Sequence, residues 1–187
     1  MKRCASIAGT LSALGVTACL AGTSSPVPTL RIGDLVPQLN TDVTWIQGQP
    51  VRKFIQGRVY IVEFWATWCP ICNGLMPHLS ELQRKYAHRL TLIAVDVHES
   101  DPSVNASYVR NFVKKKGDKM AYTVAMDDPI KKTQFDAWMA ASGLKGIPAA
   151  FVIDRHGRLV WGGYPSSTDT EFHTAIEQAL SGTPGGR

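Results

Sequence analysis

The 187-residue chain is long enough for one domain of ordinary size together with an N-terminal extension. Its 44% hydrophobic and 19% charged residues exclude a disordered or low-complexity protein, and the absence of a fixed-period repeat argues against a solenoid. The formal net charge of +5 is carried in part by Lys2 and Arg3, and the other basic residues are scattered apart from Lys114, Lys115 and Lys116. That short run reads as a solvated helix end, so the charge does not point to nucleic acid.

Residues 1–22 read as a secretory signal peptide: Lys2 and Arg3, an uncharged stretch from Cys4 to Thr23, then Ser24, Ser25 and Pro26. The stretch is too rich in Ser, Thr and Gly for a convincing membrane span. Val16-Thr17-Ala18-Cys19 resembles the bacterial lipobox, which implies a signal of residues 1–18 and lipidation of Cys19. The alternative is cleavage near Ala21 or Gly22 to release a free periplasmic protein. Residues 23–31 are then a linker, 32–180 the folded domain and 181–187 a flexible tail.

Within the domain, Val59 to Trp65 is β-branched and aromatic apart from Glu63, and reads as a buried strand. From Pro70 to about Tyr86, the residues Ile71, Leu75, Met76, Leu79, Leu82 and Tyr86 recur at helical spacing, with a kink expected at Pro77. Leu90 to Val97 is a second strand. Asp101-Pro102 reads as a cap and first-turn proline, opening a helix through Val104, Tyr108, Phe112 and Val113. A short strand over Tyr122 to Met126 follows. Asp128-Pro129 repeats the cap signature before a helix whose Phe135, Trp138 and Met139 are expected in the core. Ala149 to Ile153 and Leu159 to Trp161 form a hairpin around Asp154-Arg155-His156-Gly157. Thr168-x-x-Glu171 reads as a capping box for a last helix with Phe172, Ala175, Ile176, Ala179 and Leu180. This alternation argues for a central mixed sheet covered by helices.

Of the four cysteines, Cys4 and Cys19 fall in the extension and only Cys69 and Cys72 in the domain. A pair two residues apart closes too small a loop to staple a fold. A structural zinc site would need further ligands at metal-binding spacing, and neither a second CxxC nor a His-x(3–5)-His follows. Redox chemistry is the expectation, with no metal and no bound cofactor. Glu63 stands out as a carboxylate in an apolar strand, six residues before Cys69. Burial would raise its pKa and let it hold a proton near neutrality; the plain alternative is an exposed or Lys-paired Glu. His78 and His98 could flank the site or lie on surface loops.

The run Val62-Glu63-Phe64-Trp65-Ala66-Thr67-Trp68-Cys69-Pro70-Ile71-Cys72, followed by Pro77, resembles the active-site segment of the thioredoxin superfamily. Gly146-Ile147-Pro148 resembles its cis-proline loop, and the Phe-Trp-Ala-Thr-Trp-Cys wording is similar to the exported TlpA-like or redoxin branch. The resemblance spans roughly Ile32 to Leu180. It implies an α/β thioredoxin-like fold, a central mixed β-sheet flanked by helices, with an N-terminal strand extension and an insertion before the cis-proline loop. It also implies a Cys69–Cys72 redox disulfide, with Cys69 as exposed nucleophile and Cys72 as resolving thiol. Glu63 would assist proton transfer, while Trp68, Ile147 and a cis Pro148 would contact substrate. The function expected is an exported, monomeric thiol–disulfide oxidoreductase acting as a reductase of protein disulfides. A membrane electron donor of the DsbD or CcdA type would recharge it. The alternatives are a disulfide oxidase or isomerase, and a copper-binding metallochaperone. A peroxidase would need a Thr and an Arg around Cys69 that the sequence does not offer.

Overall fold

A computed structural model describes residues 29–182, except 40, 41, 100 and 102. The signal-peptide and lipobox readings, Cys19 included, lie outside the described residues, as do 23–28 of the linker and 183–187 of the tail. The described strands are β1 (Val43–Gln47), β2 (Val59–Trp65), β3 (Leu90–Asp96), β4 (Thr123–Asp127), β5 (Ala149–Ile153) and β6 (Leu159–Gly163). Three α-helices accompany them: α1 (Pro70–Lys85), α2 (Ala106–Lys116) and α3 (Thr170–Ser181).

The strands form one mixed sheet in the order β1-β4-β3-β2-β5-β6. Pairs β2·β3 and β3·β4 are parallel; β1·β4, β2·β5 and β5·β6 are antiparallel. This is the expected thioredoxin-like architecture, with β1 as the N-terminal strand extension at one edge. Every residue of β2 is buried, as a central strand covered on both faces requires. Its alternate residues divide between two cores. Ile61 and Trp65 join α1, α2 and α3 on one face, while Tyr60, Val62 and Phe64 join Trp138, Met139 and Phe151 on the other. Trp65, Trp138 and Met139 thus lie in the core, as expected. At the hairpin, Gly162 opposes Phe151, and a Cβ there would sit 3.1 Å from that ring. A side chain there would require the ring to shift by a few tenths of an ångström, which glycine avoids.

Three helix starts differ from expectation. α2 begins after Asn105, whose side chain accepts the Ser107 and Tyr108 N–H groups. Asp101 instead accepts the Ser103 N–H in a turn. Asp128 likewise closes a turn through the Ile130 and Lys131 N–H groups. The helical segment beyond it, Phe135–Ala140, has π-helical hydrogen bonding and is tied at its start by Asp127, which accepts from Gln134 and Phe135. Asp can satisfy either a turn or a helix end by the same side-chain-to-backbone bond, so Asp-Pro alone does not place the cap. Asp169, not Thr168, caps α3 by accepting the Glu171 and Phe172 N–H groups; a charged carboxylate is the stronger acceptor at a helix N-terminus. The element ends also shift slightly: Ser181 is the last residue of α3, and Thr29 and Leu30, placed by sequence in the linker, donate to the Ala141 carbonyl, with Leu30 buried. Pro77 lies inside α1, which runs as one helix from Pro70 to Lys85.

Candidate active site

The centre of the site is the junction of β2 and α1. Cys69 is the N-cap of α1 in extended conformation, with Pro70 at the first helical position, where no N–H is needed. Its Sγ accepts the Cys72 N–H at 3.2 Å, so the sulfur occupies the place where a helix N-terminus offers unpaired donors and a favourable dipole for an anion. Cys69 and Cys72 form a disulfide with a Cα–Cα separation of 5.3 Å. The Asn73 side-chain amide holds the Cys69 carbonyl at 2.9 Å.

The expectation of an exposed Cys69 is corrected: it is 3% exposed and Cys72 1%. In the disulfide form, the local surface belongs to the neighbouring side chains, Trp68 at 53% and Ile71 at 71% exposure. Trp68 is fixed by its indole N–H, which donates to the His98 carbonyl at 2.9 Å. Across the site the Ile147–Pro148 bond is cis, and the Ile147 carbonyl lies 4.0 Å from Cys69 Sγ. The structure therefore gathers Cys69, Cys72 and Ile147 at one place and sets Pro148 beside them in the chain.

Glu63 is 2% exposed in the middle of β2, with Ala94 and Ala150 as its strand partners. Burial pushes its carboxyl up to about 8. The reading of an exposed or Lys-paired Glu therefore gives way to the buried one. Three more polar residues belong to this neighbourhood and were missed in the sequence. Asp96 ends β3 at 1% exposure, and burial, with the charge of Glu99 next, pushes it up to about 10. Glu99 accepts the Thr67 N–H at 2.6 Å. Buried Tyr122 has its hydroxyl raised above the ordinary value by burial and then by the charge of Glu63. Asp96 lies inside the strand read over Leu90 to Val97, as Glu63 lies inside Val59 to Trp65, but only the pairing of β3 with β2 sets it beside the site.

The histidines separate. His78 on α1 meets His173 on α3, ring centroids 4.9 Å apart, and burial followed by the charge of His173 lowers its pKa. His98 sits against Phe135 at 4.2 Å and meets the site through its backbone carbonyl. Among the described residues, no group of three or more His, Cys, Asp or Glu is placed to hold a metal ion.

A cysteine pair at the mouth of a helix, faced by a cis-proline loop and following a strand that buries an acid, is a geometry suited to thiol–disulfide exchange. The Redoxin family model matches residues 32–180. The chain belongs to the redoxin family. This redoxin is 32% identical over 133 residues to the thiol-disulfide oxidoreductase ResA of Bacillus thuringiensis (strain Al Hakam), covering 70% of the chain and 68% of that relative. A thiol:disulfide interchange protein of the thioredoxin family from Chlorobium tepidum TLS superposes with a TM-score of 0.53 at 31% identity, covering 67% of this chain and 81% of that one. A thiol-disulfide isomerase from Corynebacterium glutamicum has a TM-score of 0.63 at 21% identity, over 78% and 97% of the two chains; that likeness concerns the fold. The redoxin is a thiol–disulfide oxidoreductase, and Cys69–Cys72 is its active-site disulfide.

Proposed function

We propose that this redoxin is an exported reductase of protein disulfides. Reduced Cys69 attacks a substrate disulfide, breaking its S–S bond, forming a mixed disulfide and releasing one substrate thiolate. Cys72 then attacks Cys69 Sγ, which expels the second substrate thiolate and closes the Cys69–Cys72 bond. Two electrons pass to the substrate. Glu63 takes the proton that Cys72 must lose to become a nucleophile, a task suited to a group whose burial brings it to about 8.

The direction rests on one observation. The Cys69 sulfur accepts the Cys72 N–H, while the intervening residues are the uncharged Pro70 and Ile71. Strong oxidants of this chemistry are made by over-stabilising the reduced thiolate. Beyond that N–H and the helix end, the neutral Pro70 and Ile71 add no charged donor to the thiolate, which favours a reductant over a strong oxidant.

Ile147, with its backbone beside the disulfide, pairs with an extended substrate segment, in the manner of an added β-strand, while Trp68 and Pro148 supply apolar contact. Export follows from the signal-peptide reading of residues 1–22, with anchoring through Cys19 on the lipobox reading. A reductant in an oxidising compartment must be recharged, and a membrane dithiol donor of the DsbD or CcdA type would serve a monomeric domain of this kind. Insulin-disulfide reduction tests the reading: Cys69→Ser abolishes activity, and Cys72→Ser accumulates mixed disulfides. Full activity in Cys69→Ser would overturn it.

A further inference from the structure

At the C-terminal ends of β3 and β4 lies a cavity of about 260 Å³. The titratable and charged groups around it are Asp96, His98 and Glu99 from β3 and its exit, Asp127 and Asp128 from the end of β4 and the turn after it, and Lys132 beyond. Asp127 is occupied by three backbone N–H groups. Asp96 is different: it is 1% exposed, and neither carboxyl oxygen meets an N–H or O–H donor among the described residues. Glu99 lines the same cavity, and its charge is the strongest influence on Asp96 after burial. Two carboxyls can hydrogen-bond only when one of them carries a proton.

This pair touches the active site from two sides. Glu99 accepts the Thr67 N–H, two residues before Cys69. Asp96 is the strand partner of Trp65, and Ala94 is the partner of Glu63. Glu63 and Asp96 therefore share one sheet face, a diagonal step apart on adjacent strands. The charge of Glu63 contributes to holding Asp96 protonated, after burial and Glu99.

We propose that Asp96 and Glu99 are a proton-sharing pair that relays protons between this cavity and Glu63 while fixing the turn that carries Cys69. The inference rests on the proton-transfer role given to Glu63 above. When a dithiol reduces the protein, its thiolate attacks Cys69 Sγ, the Cys69–Cys72 bond breaks, and Cys72 leaves as a thiolate with the bonding pair. Glu63 gives Cys72 its proton, Asp96 restores Glu63, and solvent restores Asp96 by way of Glu99. The second thiolate of the dithiol then closes its own disulfide and frees Cys69. The donor passes two electrons to the cysteines and gives up its two thiol protons to solvent; Cys72 takes one proton through the relay, and Cys69, freed as a thiolate, takes its own from solvent. The path runs in reverse when Cys72 is deprotonated for attack.

The test is the rate at which dithiothreitol reduces the disulfide, followed by tryptophan fluorescence from pH 5.5 to 10. Four variants are compared with wild type: Glu63→Gln, Asp96→Asn, Asp96→Glu and Glu99→Gln. Asn and Gln keep the shape and the hydrogen-bonding capacity, and the amide oxygen introduced by Glu99→Gln can still accept the Thr67 N–H, but neither amide can carry the proton. The relay predicts that Asp96→Asn and Glu99→Gln react about tenfold more slowly than wild type below pH 8, less than the loss of a direct acid–base group. The deficit narrows toward pH 10, where Glu63 has lost its proton and Asp96 is losing its own, and Asp96→Glu recovers the rate. A Glu99→Gln profile that runs parallel to wild type at every pH overturns the relay, whether or not Asp96→Asn folds. A wild-type rate in Glu63→Gln overturns the relay together with the role of Glu63. If the wild type fails to reduce insulin, the reductase reading falls alone, because the dithiothreitol profiles still decide the relay.

Discussion

Glu63 concentrates the residue-scale physics. Its carboxyl, about 4.5 in an unfolded chain, is pushed up to about 8 by burial. Between those values the native state holds a proton that the unfolded state has lost, so stability falls as pH rises through this window and is level beyond it. Glu63→Gln removes the dependence. Relative to wild type, the variant should gain about 4 kcal/mol of stability between pH 5 and pH 9, at about 1.4 kcal/mol per pKa unit. Urea unfolding of the oxidised proteins at both pH values measures this, and parallel pH profiles would show that Glu63 stays ionised in the fold. Glu63 was legible in the sequence because a charge inside Val59–Trp65 has nowhere to face water. Asp96 and Glu99 were not, because their importance comes from β3 lying beside β2, a pairing between segments about thirty residues apart.

At the scale of elements, β2, α1 and β5 could be read from pattern alone, since each presents an apolar run or stripe to a core, broken in β2 only by Glu63. Helix starts could not, because a cap is one hydrogen bond among several that a short polar side chain can make. Asp169 and Thr168 separate the two readings of α3. Asp169→Ala should cost about 1 kcal/mol of unfolding free energy, as caps typically do, and Thr168→Ala less than about 0.5 kcal/mol. Equal losses would return the cap to Thr168. The β5·β6 hairpin depends on a different constraint. Gly162→Ala places a Cβ against the Phe151 ring and should destabilise by about 1–3 kcal/mol through overpacking. An unchanged denaturation midpoint would mean that the ring moves aside freely.

For the molecule as a whole, the fold serves to bring three remote segments together: the end of β2 with the start of α1, the loop after β3, and the cis-proline loop before β5. Thr67 and Trp68 are held by Glu99 and His98 from the second segment, and the Ile147 carbonyl approaches Cys69 Sγ from the third. The first and third segments were recognisable by their motifs, but the second carries no motif and shows its part only through the hydrogen bonds it makes. The central claim, a reductase built on a thiolate without exceptional stabilisation, is tested most directly by the reduction potential of Cys69–Cys72 in glutathione buffers, read by Trp68 fluorescence. The account predicts a value near that of thioredoxin, about −270 mV. A value near about −120 mV would make the protein an oxidant and contradict it.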